Sequence, residues 1–554
     1  MFYGFSFSRQ RLLRFAKFLS LFSLCFVLAV SCGGSQTPDA DTSPTSSGAN
    51  SQSDRITLGM TGKPRTLDPA DSNEIISLNL VYNLGDTLYT YEPGTTNLVP
   101  QLATDLPDIS EDGLTYTIPL RENVTFQDGT PFNAEAMAFS LQRFIDNGGK
   151  PSFLLADAAK SVEATGDFEL TIRLKQPFSA FTSLLAFAGA CAVSPQAYEI
   201  GAGQFNPNEF VGTGPYQLIE FSSDSIRLEP FENYWGEQPE NGGVDIQIYG
   251  ENSANLFNAF RTGAIDIAYQ SLDPEQISNL LAGAEKGEWQ AIESPGAAVN
   301  FMVLNRKQKP LDEPEVRQAI AALMNRSLIR DRVFQGQAEP LYSMIPTSFE
   351  SSQPTFEKVY GEANVEKAKE LLLKAGYSAQ NPAVVELWYP SGSTPRSLVA
   401  ATLKAYAEQE LDGALQFEPQ AVEGATFFKN IADGIYPAAL SNWYPDFLDA
   451  DNFIHPLIAC AKGSDSEGCV EGGAQNQGSF YWSDRVNQLI DQQRQENDTA
   501  KRQEIFGQIQ EEIAKDVPYI PLWQNKEYIF AQNNLEGAQL NPSQSIPFWK
   551  IEKQ

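Results

Sequence analysis

Glu111-Asp-Gly-Leu-Thr-Tyr-Thr-Ile-Pro-Leu-Arg121, followed after two residues by Val124-Thr-Phe-Gln-Asp-Gly-Thr-Pro131, sets the character of the chain. Apolar and polar side chains alternate from Gly113 to Leu120, the period of a half-buried strand. Asp112-Gly113 and Asp128-Gly129 are turn dipeptides, because glycine reaches backbone angles that tight turns need. The period then changes. Asn133-Ala-Glu-Ala-Met-Ala-Phe-Ser-Leu-Gln-Arg143 has helical spacing behind an asparagine suited to cap it. Val162 to Leu174 is strand-like again, around a turn at Gly166-Asp167.

The same alternation continues outward. Ile56 to Met60 reads as a strand closed by Gly62 and Pro64. Val316 to Met324 and Val365 to Lys374 are amphipathic helices, the second stopped by Gly376. Trp482 to Lys515 is largely polar and helical, ending before Pro518. Apart from Gly463–Gly478 and the N-terminal region there is no low-complexity tract, and no internal repeat appears. The expectation is a mixed α/β or α+β protein.

Composition removes several functions. A chain of 554 residues suggests three to four domain-sized units at about 150 residues each. Lys plus Arg is 39 against 70 for Asp plus Glu, a net charge of −31. So acidic a surface is a poor host for a phosphate backbone, so no nucleic-acid partner is expected. The single histidine, His455, leaves no HExxH metal site, which needs two. There is no G-x-S-x-G elbow. Gly59-Met-Thr-Gly-Lys-Pro64 lacks the spacing of a phosphate loop. A lipid-anchored hydrolase working through paired carboxylates is the enzyme alternative, but nothing singles out such a pair.

The N-terminus reads as an address. Its only charges before Ser31 are Arg9, Arg11, Arg14 and Lys17, and they precede the apolar run Phe18 to Val30. A basic region, a short apolar run and small residues at the cut describe a secretory signal over 1–31. The run is shorter than the ~20 residues a bilayer core needs. Leu28-Ala29-Val30-Ser31-Cys32 resembles the lipobox of bacterial lipoproteins. That resemblance implies cleavage before Cys32 and lipidation of its thiol, with plain secretion as the alternative. Residues 32–54, rich in Ser, Thr, Gly, Pro and Asp, then form a flexible tether. The leader carries four of the 39 cations and no anion, so its removal takes the charge from −31 to −35. Cys460 and Cys469 bracket a polar loop at a spacing that suits a disulfide in an oxidising compartment, with a metal site as the sharper alternative. Cys191 reads as a buried free thiol.

Several colinear segments resemble the peptide-binding proteins of ABC importers, solute-binding protein family 5. They are Pro64-Arg-Thr-Leu-Asp-Pro69, Leu98-Val-Pro-Gln-Leu-Ala103, Glu111 to Pro131, Val211-Gly-Thr-Gly-Pro-Tyr216, Tyr234-Trp-Gly236, Asn305 to Met324 and Trp443-Tyr-Pro-Asp-Phe-Leu-Asp-Ala-Asp-Asn-Phe453. Most of these residues are architectural. Gly212 and Gly214, for example, are expected to allow a tight turn before Pro215.

The resemblance implies an α/β, two-lobed periplasmic-binding-protein fold of the class II, cluster C type, with an extra domain and a cleft between lobes. Lobe I is expected from 55–90, 212–290 and 520–554, the extra domain from 91–211, and lobe II from 291–519. It also implies an extracytoplasmic receptor, a monomer without catalysis or cofactor. Its partners would be short peptides, an inner-membrane permease with its ATPases, and the membrane through the lipid on Cys32.

Within that frame Asp446 is the main ligand candidate. In peptide-binding members an aspartate three residues after a tryptophan pairs with the ligand's α-ammonium. Trp443-Tyr-Pro-Asp446 keeps that spacing. An ammonium taken from water into a closed cleft needs a charged acceptor. Trp443 packs the ligand or braces Asp446. The loop Asp71-Ser72-Asn73 supplies the candidates Ser72 and Asn73. Arg396 lies near where dipeptide binders carry an arginine for the ligand carboxylate, and Trp388 and Tyr389 end a strand beside it. Other members bind metal complexes, haem, opines or oligosaccharides. His455 and the seven tryptophans are what this chain offers to those ligands.

Overall fold

The computed structural model describes residues 54–554 apart from 251, 270 and 271. The leader, Cys32 and all of the tether but Asp54 lie outside the described residues. All that is described belongs to one compact unit, Asn50–Gln554. Among the described residues no helix is long and apolar enough to cross a membrane.

An eleven-stranded sheet runs through this unit. From one edge its strands are Leu415–Val422, Ala383–Pro390, Ala438–Trp443, Gln290–Leu304, Tyr519–Ala531, Ile267–Tyr269, Ile56–Met60, Val244–Ile248, Ser225–Pro230 and Tyr216–Phe221. Ala338–Pro340 pairs in addition with Tyr519–Ala531. Parallel pairs (Ile56 beside Val244, Ala383 beside Leu415) sit toward both ends, the second pair joined by the helix Thr394–Glu410. The expected first strand forms because Ile56, Leu58 and Met60 are fully buried. Arg55 fastens it to the neighbouring strand with two hydrogen bonds to Asp245, of 2.8 and 2.7 Å.

Gln290–Leu304 and Tyr519–Ala531 are the long central strands. They pair antiparallel from Gln290 beside Ala531 to Val303 beside Tyr519. At one end they pack into a core containing Val303, Leu304, Leu522 and Trp523. At the other, Ile529 and Ala531 join a core built on Ile56, Leu58 and Val244. The pairing lapses between Pro295 and Val299. Proline donates no ladder hydrogen bond. Gly296 lets the backbones close in, since a Cβ there would lie 2.5 Å from the Asn525 carbonyl oxygen.

A separate four-stranded antiparallel sheet, in the order Asp108–Ile109, Thr115–Pro119, Glu169–Leu174, Ala159–Gly166, contains both predicted hairpin regions. Gly113 takes φ +68° in the turn between the first two strands. The helix Ala134–Asp146 begins at Asn133, whose side chain accepts from the Ala136 N–H at 2.9 Å, and it packs on this sheet through Met137, Leu141 and Phe144. The aspartate of Pro64-Arg-Thr-Leu-Asp-Pro69 ties this region to the large sheet. Asp68 and Arg143, both buried, form two hydrogen bonds of 2.8 and 2.6 Å, and Asp68 also accepts from the Asn206 N–H at 2.7 Å. A buried pair satisfied to this extent tolerates loss of neither partner.

Two expectations change. Trp482 to Lys515 contains two helices, Asp484–Gln495 and Thr499–Asp516. Asp498 caps the second by accepting from the Lys501 N–H at 3.0 Å, so the polar pattern hides a restart. Gly212 and Gly214 do not use left-handed backbone. A Cβ on Gly214 would lie 2.5 Å from the Leu84 carbonyl carbon, so close approach, not turning, demands glycine.

Candidate functional site

The strand Ala438–Trp443 leaves the large sheet and runs into a loop whose form depends on Asn452. The Asn452 side-chain oxygen accepts from the Trp443 indole N–H at 3.1 Å and from the Asp446 backbone N–H at 2.9 Å. Its amide reaches back to the Asp446 carboxylate at 3.5 Å. Trp443 is therefore a brace for the Asp446 loop and does not line the cavity beside it.

That cavity holds about 140 Å³, room for roughly ten waters. Its wall includes Asn73, Tyr91, Phe187, Tyr444, Asp446 and Gln544. Residues far apart in sequence meet here. The Tyr91 hydroxyl accepts from the Leu448 N–H at 3.1 Å, and Phe447 meets Phe178 edge to face at 6.2 Å.

The loop carries three aspartates, and their environments differ. Asp449 receives two hydrogen bonds from Arg502, of 2.8 and 2.7 Å. Asp451 accepts from Gln493 and lies 3.7 Å from Arg494. Asp446 has no cation within salt-bridge reach among the described residues. Burial pushes its carboxyl above the usual range, and the Asn452 contact opposes this only in part. A desolvated carboxylate without a counter-ion is held in its charged form at a cost.

Arg396 is the complementary case. Its guanidinium donates to Ser393 Oγ at 3.2 Å and to Asn442 Oδ1, while Nε is buried without a partner. Burial holds its pKa below the ordinary value, and no carboxylate pairs with it among the described residues. Asn442 belongs to the strand that leads to Asp446, so the two under-compensated charges flank one strand end.

The other candidates are placed as follows. Asn73 lines the cavity, but Ser72 does not: it is fully buried, with Oγ donating to the Asp68 and Thr66 carbonyls at 2.8 and 3.2 Å. Trp388 stacks on Tyr436 at 4.5 Å and donates to Glu386 at 3.0 Å, and the Tyr389 hydroxyl meets Ser397 at 3.3 Å. Neither lines the cavity. Cys460 and Cys469 are joined in a disulfide across the hairpin Lys462–Ser464 and Gly468–Glu471, and Cys191 is buried and free. His455 is held below its usual pKa by burial. Among the described residues no cluster of three His, Cys, Asp or Glu could hold a metal. Sequence reasoning missed Tyr91, Phe187, Tyr444 and Gln544. Tyr444 alone carried a signal, as the aromatic residue inside the Trp443-Tyr-Pro-Asp446 stretch.

Residues 97–465 match the model of the family described as bacterial extracellular solute-binding proteins, family 5 Middle. The glutathione-binding protein GsiB of Escherichia coli O6:K15:H31 (strain 536 / UPEC) is 30% identical over 498 residues, covering 87% of this chain and 91% of that one. Among solved structures, HbpA2 from Haemophilus parasuis superposes with a TM-score of 0.78 at 22% identity, over 90% of this chain and all of the other. DppA from Helicobacter pylori, in complex with peptide STSA, gives 0.71 at 25% identity, over 90% of this chain and 98% of the other.

Proposed function

The chain belongs to bacterial extracellular solute-binding protein family 5, and from that premise we propose that it captures short peptides in the cavity at Asp446. Members of this family are extracytoplasmic substrate-binding transport proteins. In our reading this one is exported, held at the membrane by lipid on Cys32, and hands its ligand to an ABC permease. The peptide-bound DppA and the glutathione-binding GsiB, whose ligand is itself a tripeptide, support the ligand class.

The observation that carries the proposal is the uncompensated Asp446 carboxylate in its partly apolar cavity. A peptide α-ammonium supplies the missing charge and forms a charge-assisted hydrogen bond. Arg396 is the group available for a peptide carboxylate. The residues taken as two lobes and an extra domain, 55–90 with 212–290 and 520–554, 291–519, and 91–211, close on the ligand about the lapse between Pro295 and Val299. The peptide drives closure only by its preference for the closed form. Calorimetric titration tests the reading with a tripeptide and its N-acetylated counterpart. Acetylation, or Asp446→Ala, is expected to weaken binding by about tenfold to a hundredfold, the range of one charged hydrogen bond. Equal affinity for both forms contradicts the assignment.

A further inference from the structure

We propose that Glu527 and the pocket around it form a second charge subsite, taking the cationic side chain of a lysine- or arginine-bearing peptide. The inference rests on the peptide reading above and deepens it. Glu527 stands opposite Ser294 on the long central strands, one step before the pairing lapses. It lies against Gly296, where a Cβ would sit 3.2 Å from its Cγ. It lines a pocket of about 210 Å³ with Ile277, Phe334, Gln337, Pro395 and Tyr528.

The neighbouring lysine is spent on another group. Lys526 pairs with Glu293 at 2.7 Å, and the Tyr528 hydroxyl donates to the same carboxylate at 3.2 Å. Glu339 adds only negative charge near Tyr528. Arg396 donates to the neutral Ser393 and Asn442 and forms no ion pair with Glu527 among the described residues. Among the described residues no hydrogen bond or ion pair reaches the Glu527 carboxylate. Burial pushes it up to about 7. Gly296, against which Glu527 lies, is followed by Ala297 in the wall of the Asp446 cavity, and Pro395 of the Glu527 pocket is followed by Arg396, which reaches Asn442 on the strand leading to Asp446. The backbone thus joins the three charges.

A ligand complementary to them carries an α-ammonium for Asp446, a carboxylate for Arg396 and a further cation for Glu527. A lysine side chain fits the last place, because its aliphatic stem can lie on Ile277, Phe334 and Pro395 while its head meets the carboxylate. The net charge of −31 draws such ligands toward the protein. Glutathione, with two carboxylates and no second cation, is disfavoured at this subsite.

The test is calorimetry of the full chain with tri-alanine, the three tripeptides bearing one lysine among alanines, and glutathione. The best lysine peptide is expected to bind about tenfold or more tightly than tri-alanine. In Glu527→Gln that ratio is expected to fall to near one, with a thermal melt showing the variant folded. If the variant does not fold, the wild-type series decides alone. Three results overturn the inference and leave the peptide reading standing: no lysine preference, an unchanged ratio in Glu527→Gln, or glutathione as the tightest ligand. Failure of every peptide to bind overturns the peptide reading, and this inference falls with it.

Discussion

Asp446, Asp449 and Asp451 share one short loop, and only their partners separate their roles. Two are committed to Arg502, Arg494 and Gln493, and among the described residues one is left without a cation. Motif spacing pointed to Asp446 in the sequence, but the isolation of its charge depends on residues such as Arg502 that lie far along the chain. Ser72 illustrates the same gap. Its neighbour Asn73 faces the cavity, and which of the two turns inward depends on the carbonyls of Thr66 and Asp68. The raised Asp446 pKa has two consequences. Because the folded-state value lies above the unfolded 3.8, the ionised group favours the unfolded chain at neutral pH, and this cost fades as pH falls. Asp446→Asn is therefore expected to melt at or above the wild-type temperature at neutral pH, with the difference lost at strongly acid pH. Peptide affinity needs the ionised carboxylate, so it is expected to fall as pH drops through the raised pKa. It is also expected to fall above about pH 8, where the peptide ammonium loses its proton. Melts and titrations across pH check both. A flat affinity profile contradicts the pairing.

The two long central strands join the two cores at the ends of the large sheet, and their flaw at Pro295 and Gly296 was not legible beforehand. Local signals did locate the strand Thr115–Pro119, the capped helix at Asn133 and the helix Val365–Lys374, because each rests on periodicity and a stop within a few residues. The reason for Gly296, like that for Gly214, is a neighbour brought close by tertiary pairing. Gly296→Ala places a methyl against the Asn525 carbonyl, and overpacking of this kind costs about 1–3 kcal/mol. Denaturant unfolding is expected to show that loss. No change in midpoint means the strands can part there without cost, and the close approach does not constrain the lapse.

Taken together, the molecule is strongly acidic, with a net charge of −31. Its family was legible because architectural segments recur in order along most of the chain. Its ligand was not, because the cavity is walled by residues as distant as Asn73, Phe187, Tyr444 and Gln544. Native mass spectrometry of the protein purified from its own host reads the ligand without choosing it in advance. The expected result is a set of added masses that dissociate into short peptides with free amino termini, absent from Asp446→Ala. A co-purifying sugar or metal complex, retained by that variant, contradicts the peptide assignment.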